Sequence, residues 1–501
     1  MFVQQGTGAS ASRAAGAHAH AAALQEHNLL RSLVRAAGLV WSILFILVGV
    51  GAELQLYADG SVFSYGVAAE SAWEAHWHNI SGRLFVYLFA HVPAEAYVAL
   101  TRDAAGGVAL YGLLFFSAPL LGLVATWLAD RTRQRSLFTL ACLSTACLCP
   151  LVFGFPTEMW IAHSLFWPTL ALAQCAARGA PSAILLTAAM VALVHTHEGA
   201  VVLAGAIVGA MLLNGPWCHQ LFRAAAALLV AIAIWASIKL IWRPDAYFAA
   251  VLARAAWSFI DITALATPIV GLMTAAVAAS IVAGMALRNK QAWGSALAVP
   301  LILAAGFVVY WLWLDHALHG EERYALRTAL LLMTPVLGFV SILRVVHHDA
   351  SSAPLVTSVS RLASRIARSV PPMAAAGALG LVMLVHGVET AKFVAAWKAY
   401  KTAVVELATR PTADPWLGDA RFVSSQRVPV AVNRLSWHST TQYLSVLLAP
   451  EMRPRRLVVH PDAGYHWMSC KTAIGHVERD GALPLQSRNL VRVHACLHRR
   501  Y

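Results

Sequence analysis

The sequence predicts a polytopic α-helical membrane protein of about eleven transmembrane helices, with a small extracytoplasmic α/β domain at the C-terminus. The 501-residue chain is 59% hydrophobic and 12% charged, about half the charged fraction of a soluble domain. So few charges cannot cover a water-facing surface. The apolar residues also fall into separate runs that are long enough for membrane helices, and polar residues become frequent only after residue 390.

Residues 1–35 are predicted to form a disordered cytoplasmic tail rather than a signal peptide, because their Ala-, Gly- and His-rich start has no apolar core. The transmembrane region is predicted over 36–390. Its spans are placed at 37–54, 108–128, 137–154, 158–176, 182–195, 198–213, 224–242, 264–286, 292–314, 327–343 and 372–390.

These spans sort the charges by side. One face carries mostly Arg and Lys, whereas the other, before residue 391, carries most of the Asp and Glu. The positive-inside rule makes the basic face and the N-terminus cytoplasmic. The net charge of +13 then reflects membrane-flanking arginines and a basic C-terminal region, not nucleic-acid binding. The high Ala and Arg content is typical of a GC-rich bacterium, and the expected location is the inner membrane of such a cell.

Two segments allow a second interpretation. Residues 84–101 could be a span, but His91, Pro93 and Glu95 are costly at the bilayer centre, so we expect an interfacial or re-entrant helix within a long outer loop, 55–107. Residues 182–213 could be one long helix instead of two short spans. Either alternative would move clusters of arginines to the outer face, against the positive-inside rule.

Residues 391–501 are predicted to form the small periplasmic α/β domain. Extended runs occur at 420–424, 456–460 and 490–497, and a helical run at 441–449. Because disulfides persist outside the cytoplasm, a Cys470–Cys496 bridge is expected, with two unpaired thiols as the alternative.

The first outer loop contains the first candidate site residues. Asp59 and Glu53 follow the first span closely, and a partly desolvated carboxylate at the water boundary can act as a general base. The alternative for Asp59 is an N-cap of the next helix. The segment Trp73–Asn79 contains three further candidates: His76, Trp77 and His78. Their rings suit sugar binding by stacking and hydrogen bonding, or metal binding by the histidines, and an ordinary interface anchor is the alternative for the tryptophan.

A second acidic and His-rich group follows in two places. Glu158 begins the fourth span, and His195, His197 and Glu198 lie at the outer turn between the fifth and sixth spans. Ionisable residues at membrane depth indicate a functional site, although a water-exposed polar turn is the alternative. A third group, which includes His319 and Glu322, follows the ninth span.

The remaining candidates are outer cations. Arg323 and Arg327 share a helix face at i, i+4 spacing, as do Lys239 and Arg243. These positions suit the phosphate of an anionic lipid. Snorkelling to outer headgroups is the alternative for either pair.

This layout resembles the GT-C class of membrane glycosyltransferases, which includes the protein mannosyltransferases and the aminoarabinose transferases of lipid A. The matching features are an acid soon after the first span, here Asp59 with Glu53 nearby, a late outer loop ending in Arg323-Tyr324 before a span that contains Pro335, and an outer C-terminal domain. Many members carry an adjacent acidic pair, whereas Glu53 and Asp59 are separated.

The resemblance implies a GT-C-like fold and transfer of a sugar from a polyprenyl-phosphate donor to an envelope glycan, lipid or protein acceptor. Asp59 would take the acceptor proton. The phosphate would be held by these residues: Arg323, Tyr324, Arg327, Lys239 and Arg243. His197, Glu198 and Glu158 would orient the sugar or a divalent metal, Mg²⁺ or Mn²⁺, while Trp77 and His78 would line the acceptor side.

Two other functions remain open. A secondary transporter or flippase for envelope lipids or glycans would also need ionisable groups in the membrane, although transporters tend to place them near the midplane. A non-catalytic partner in polysaccharide assembly would suit the outer domain. The sequence contains no phosphate-binding P-loop, which argues against an ATP-driven pump.

Overall fold

The computed structural model describes residues 7–70, 72–75, 83–132, 134–148, 158–175, 179–213, 219–241, 372–409, 422–433, 435–437, 440–452, 454 and 457–459. Within these ranges the chain is mostly helical, and its long apolar helices are compatible with a membrane protein. The predictions for the spans 264–286, 292–314 and 327–343, and for the strand 490–497, concern residues outside these ranges.

The first helix is longer than the sequence predicts. Helix α1 covers Thr7–Gly51, so the described part of the expected disordered tail is helical. Alanine repeats through this stretch and has the highest helix propensity of any residue, which outweighs the interspersed Gly and His. Beyond α1, Glu53 adopts a left-handed conformation (φ 56°) and a short 3₁₀ turn follows at Leu54–Leu56.

The first loop contains helices α2 (Asp59–Ala68) and α3 (Ala72–Ala75) and then a helical unit over Leu84–Thr101. This unit consists of α4 (Leu84–Val86), a π-helical turn (Tyr87–His91) and α5 (Val92–Thr101).

The helical unit folds back along the first half of helix α6 (Ala104–Ala129). The His91 ring stacks on Tyr111 with centroids 4.9 Å apart. Gly107 leaves room for Val98, which lies where a Cβ would be. The Asp103 carboxylate caps α6 by accepting the Gly106 amide at 2.9 Å.

Five further helices form the bundle: α7 (Ser136–Leu148), α8 (Met159–Cys175), α9 (Ala180–Val194), α10 (Ala200–Leu213) and α11 (His219–Ile241). The predicted break between the fifth and sixth spans is confirmed, because α9 and α10 are separate helices joined by a turn at 195–199. Among the described residues, four helices are long and apolar enough to cross a membrane: Asn28–Gly51, Leu84–Thr101, Ala104–Ala129 and His219–Ile241.

The bundle has two chemically different ends. At one end, Arg35 of α1 donates from Nε to the Thr139 hydroxyl at 2.9 Å and also contacts the Gln134 carbonyl. Near the start of α11, Arg223 donates to the Ser182 hydroxyl near the start of α9. We name this the Arg35 end. The opposite end, where Ala52, Glu158 and the 195–199 turn lie, is named the Glu158 end.

The C-terminal elements pack at the Glu158 end. In helix α12 (Pro372–Thr409), the indole of Trp397 donates a hydrogen bond to the Ala52 carbonyl at 3.1 Å. Strands β1 (Phe422–Ser424) and β2 (Leu457–Val459) pair in parallel. Helix α13 (Val430–Asn433) and helix α14 (Thr441–Leu448) lie between them in the chain. Both strands and α14 fall where the sequence predicts strands and a helix.

Buried apolar side chains form two clusters. The loop cluster joins the first loop and α6 to α12 and the C-terminal elements; it includes Leu54, Tyr57, Val67, Phe115, Trp160, Trp397 and Val458. The bundle cluster joins α7 to α11; it includes Leu137, Cys142, Phe166, Trp167, Met190, Leu203 and Ile207. Cys142 is a buried free thiol that packs as a small side chain in the bundle cluster.

Gly122 marks the closest contact between α6 and α8. A Cβ at this position would lie 2.5 Å from the backbone oxygen of Ser164, whereas a Cβ on Gly205 of α10 would meet nothing within 4 Å. We therefore expect Gly122→Ala to destabilise the protein by about 1–3 kcal/mol through overpacking. Gly205→Ala should be neutral or stabilising by up to about 1 kcal/mol, since it improves helix propensity.

Thermal unfolding of the two variants in detergent checks this packing. The unfolding midpoint should fall for Gly122→Ala and not for Gly205→Ala. Equal midpoints would show that α6 and α8 do not approach each other this closely.

Candidate functional site

A buried ionic cluster lies at the Glu158 end. Arg83, the residue before α4, forms an ion pair with Glu158 at 2.6 Å and approaches Glu198 at 3.6 Å. The three side chains are 11%, 3% and 11% exposed, respectively. A charge so removed from water is stable only when oppositely charged groups surround it. The first loop, the start of α8 and the turn before α10 therefore meet at Arg83.

A second cation completes the cluster. The ammonium group of Lys239, in the last turn of α11, lies 3.4 Å from Glu198 and 5.7 Å from the centre of the Trp235 ring. The Lys239 side chain is 12% exposed. The sequence predicts a lipid-phosphate contact or snorkelling for Lys239, but its burial against Glu198 is not the geometry of a side chain that reaches to headgroups.

Asp59 lies beside this cluster. It is the first residue of α2, its side chain is partly buried, and its charge interacts with that of Arg83. The N-cap position of α2 belongs to Ala58, with no side-chain cap, so the N-cap alternative for Asp59 is wrong. A carboxylate in the first turn of a helix is nevertheless favourable, because it faces the positive end of the helix dipole.

The turn between α9 and α10 is held in a defined conformation. The carbonyl of His195 accepts the Phe85 amide at 3.1 Å, and the His195 ring contacts the Val191 carbonyl. His197 accepts the Gly199 amide at Nδ1 at 3.0 Å. His195 is buried, and His197 and Glu198 are partly buried; the turn is not the fully exposed polar turn considered as an alternative.

The charges in the cluster reinforce one another. Burial alone would raise the pKa of Glu198, but Arg83, His197 and Lys239 lower that pKa to about 2. Burial lowers the pKa of the Arg83 guanidinium, and the attraction of Glu158 and Glu198 reverses this and raises that pKa above its ordinary value. Both groups are therefore charged at neutral pH.

Glu53, the other predicted catalytic acid, belongs to a different contact. Its carboxylate pairs with Lys401 of α12 at 2.5 Å, and its side chain is 51% exposed. Lys401 also donates to the Ala52 carbonyl. In the described residues, the ion pairs of the cluster do not include Glu53. Of the two predicted catalytic acids, Asp59 is the one whose charge acts on Arg83.

The remaining predicted site residues lie outside the described ranges. They are His76, Trp77, His78, Arg243, His319, Glu322, Arg323, Tyr324, Arg327 and the two cysteines Cys470 and Cys496. The lipid-phosphate, acceptor and disulfide predictions for these residues stay predictions.

Arg83 is the residue of the candidate site that the sequence reasoning missed. A usable signal exists: Arg83 is a cation in a segment assigned to the outer face, immediately before an apolar run. The same exception to the positive-inside rule selected Arg323 and Lys239. What the sequence does not reveal is the partner, since Glu158 and Glu198 are far along the chain.

The predicted metal ligands do not form a favourable donor set. His197 Nδ1 already accepts the Gly199 amide, and Glu198 lies between two cations that would repel a divalent ion. Across the described ranges, no three His, Cys, Asp or Glu side chains come together as a metal-binding group. We derive no chemistry from a metal at His197 and Glu198.

Comparisons with protein-family models, curated proteins and solved structures find no match to this chain. The resemblance to the GT-C class therefore stays a prediction that depends on the quoted residues and their order.

The lowered pKa of Glu198 gives a pH-dependent stability. Its folded-state pKa of about 2 lies below the ordinary value of 4.5, so the stabilisation is fully present above pH 4.5 and is lost as the pH falls towards 2. We expect Glu198→Gln to lower stability at neutral pH by about 3–5 kcal/mol, because the buried Arg83 loses one of its two carboxylates.

Thermal unfolding in detergent from pH 7 to pH 2 measures this effect. The gap between the wild type and Glu198→Gln should narrow as the pH drops below 4.5. The control is Glu70→Gln, which removes an exposed pair with Arg102 that contributes about 0–1 kcal/mol. A gap between the wild type and Glu198→Gln that is independent of pH would contradict the ionised state of Glu198.

Proposed function

We propose that the protein is an integral-membrane glycosyltransferase that moves a sugar from a polyprenyl-phosphate donor to an envelope glycan, lipid or protein acceptor. The observation that carries this proposal is that Glu158 and Glu198 surround Arg83 at one end of the bundle, with Asp59 near enough for its charge to act on the same guanidinium. Hydroxyl-rich ligands are bound by charged and amide groups, and a carboxylate at the edge of such a group suits a general base.

The proposed reaction needs few parts. Asp59 takes the proton from an acceptor hydroxyl as its oxygen bonds to the anomeric carbon of the donor sugar. The bond from that carbon to the phosphate oxygen breaks, and polyprenyl phosphate leaves with the electron pair. Glu158 and Glu198 accept hydrogen bonds from sugar hydroxyls, while Arg83 and Lys239 keep both carboxylates ionised.

The donor phosphate requires cations of its own. Arg83 and Lys239 are engaged with carboxylates, so we assign the phosphate to Arg323 and Arg327 as the sequence predicts, with Tyr324 beside them. A dedicated cation pair stabilises the charge that develops on the leaving phosphate.

The position of the cluster is compatible with transfer chemistry and also with transport, because the 195–199 turn separates the short helices α9 and α10. Glu158 precedes α8, Glu198 lies between α9 and α10, and Lys239 is in the last turn of α11. All three are at helix ends. A transporter tends to place its charges near the midplane, at interruptions of its helices. We therefore keep the secondary transporter or flippase as the second candidate and the assembly partner as the third.

We propose the bacterial inner membrane as the location, with the Arg35 end cytoplasmic and the Glu158 end periplasmic. The contact of Arg35 with the 134–139 segment supports this, because it puts two arginine-rich segments at one end. The fold-back of Leu84–Thr101 on α6 is consistent with a helix that belongs to the outer loop.

Reporter fusions test the orientation. Fusions at residues 133, 220 and 355 should give cytoplasmic signals, and a fusion at residue 452 should give a periplasmic signal. The physical reason is the retention of arginine-rich segments on the cytoplasmic side. Periplasmic signals at 133 and 220 would invert the orientation and with it the placement of the site.

The catalytic proposal is tested by Asp59→Asn. In a strain that lacks the gene, we expect a polyprenyl-phosphate sugar to accumulate, and mass analysis of extracted lipids would identify it. Wild-type protein should restore its consumption. Asp59→Asn should slow that consumption by about 10²–10⁴-fold, the range for loss of a general base.

The matched control is Asp103→Asn. Asp103 caps α6, and asparagine is an equally good cap, so this variant should behave as the wild type. Purified protein in liposomes separates the candidates: a transferase releases polyprenyl phosphate when the accumulated lipid and membrane acceptor are supplied. Translocation of intact lipid without release would favour the flippase, and unchanged turnover by Asp59→Asn would exclude Asp59 as the base.

A further inference from the structure

The ionic cluster lies where the two hydrophobic clusters meet. Val86 and Ala90, just after Arg83, are buried in the loop cluster. Val194 and Ala200, which flank the 195–199 turn, are buried in the bundle cluster. Helices α1, α6 and α8 contribute buried side chains to both clusters and hold them together. The first loop contributes only to the loop cluster, so its position on the 195–199 turn depends on direct contacts between the two segments.

Such contacts are present, and they centre on Arg83. Its guanidinium donates a hydrogen bond to Glu158 from one terminal nitrogen, and its Nε lies 3.6 Å from Glu198, an ion-pair distance without a hydrogen bond. Two residues later, the Phe85 amide donates to the His195 carbonyl at 3.1 Å. A planar guanidinium with donors on two edges can hold two carboxylates at once, which lysine cannot do in the same way.

Asp59 depends on this junction because it is fixed on the loop side. Helix α2 is held by Ser61, whose hydroxyl donates to the Thr440 carbonyl at 3.2 Å, and by the edge-to-face contact of Tyr65 with Tyr443 at 5.2 Å. Its Phe63 and Val67 belong to the loop cluster. Glu198 belongs to a turn of the bundle, so its distance from Asp59 is set by how the loop sits on the bundle.

We propose that Arg83 is a positioning residue that docks the first loop onto the turn between α9 and α10 and so aligns Asp59 with Glu158 and Glu198. The alignment part of this inference rests on the proposed function; the docking part does not. Arg83 touches no reacting atom in this scheme and acts through the two carboxylates.

Hydrogen–deuterium exchange of the full-length protein in detergent tests the docking. In Arg83→Met, amides in peptides covering 83–86 and 195–200 should exchange at least about tenfold faster, because a broken buried pair opens its surroundings locally. Peptides from α6 and α8 should be unchanged. The control Arg102→Gln, which disrupts an exposed pair with Glu70, should leave both segments as in the wild type.

A mutant cycle keeps the test decisive if Arg83→Met folds poorly. Glu158→Gln alone should also speed exchange at 83–86. The double variant should exchange no faster than Arg83→Met, since both changes remove the same interaction. Arg83→Lys, which keeps the charge without the two-edged geometry, should lie between wild type and Arg83→Met. Wild-type exchange at both segments in Arg83→Met and Glu158→Gln would overturn the proposal.

Consumption of the accumulated polyprenyl-phosphate sugar provides the second readout. Loss of docking should reduce turnover by about a hundredfold, the effect of misplacing groups by an ångström, and Arg83→Lys should recover part of it. Reduced turnover with wild-type exchange at 83–86 and 195–200 would mean that Arg83 acts on the substrate itself, which contradicts a positioning role. If the wild-type protein shows no turnover, the proposed function is wrong. The hydrogen-exchange measurements then still test the docking role of Arg83 on their own.

Discussion

Arg83 has a positive charge in a place where little water reaches it, and this constraint organises the Glu158 end of the molecule. Moving a guanidinium out of water costs several kcal/mol unless ionised carboxylates replace the solvent. Glu158 and Glu198 supply them. These carboxylates are also buried, so they need Arg83 and Lys239 in return. Three segments that are distant in sequence can therefore fold at this end only together.

The site also ties the beginning of the chain to its C-terminal region. Lys401 and Trp397 of α12 hold the end of α1 through the Ala52 carbonyl, and Thr440, just before α14, accepts from Ser61 of α2. Asp59 lies between these attachments in the chain. The position of Asp59, the proposed base, thus depends on contacts with the C-terminal region. The polar C-terminal region therefore helps to hold the site in place.

Sequence reasoning predicted what local patterns encode. The apolar runs gave the helices, and the ionisable turn at 195–199 marked the break between α9 and α10. It predicted Asp59, Glu158 and Glu198 as members of one site, but not Arg83, because ion pairing across the fold leaves no periodic signal. It also predicted disorder for the tail, where the helix propensity of alanine outweighs that of Gly and His and α1 begins. It grouped Glu53 with Asp59, whereas in the structure Glu53 forms an ion pair with Lys401.

The π-helical turn at Tyr87–His91 has a consequence for how this end of the protein tolerates change. Such a turn holds one more residue than the α-helical turn it replaces, and each residue advances a helix by roughly 100°. Everything before the turn is therefore rotated relative to a continuous helix drawn back from α5. Arg83 faces Glu158 in this rotated phase. Deleting one residue from the turn would leave the apolar residues of α5 in place on α6. It would rotate Arg83 about the helix axis by roughly 100°. The extra residue of the π-helical turn therefore sets the direction of the Arg83 side chain independently of how α5 packs on α6.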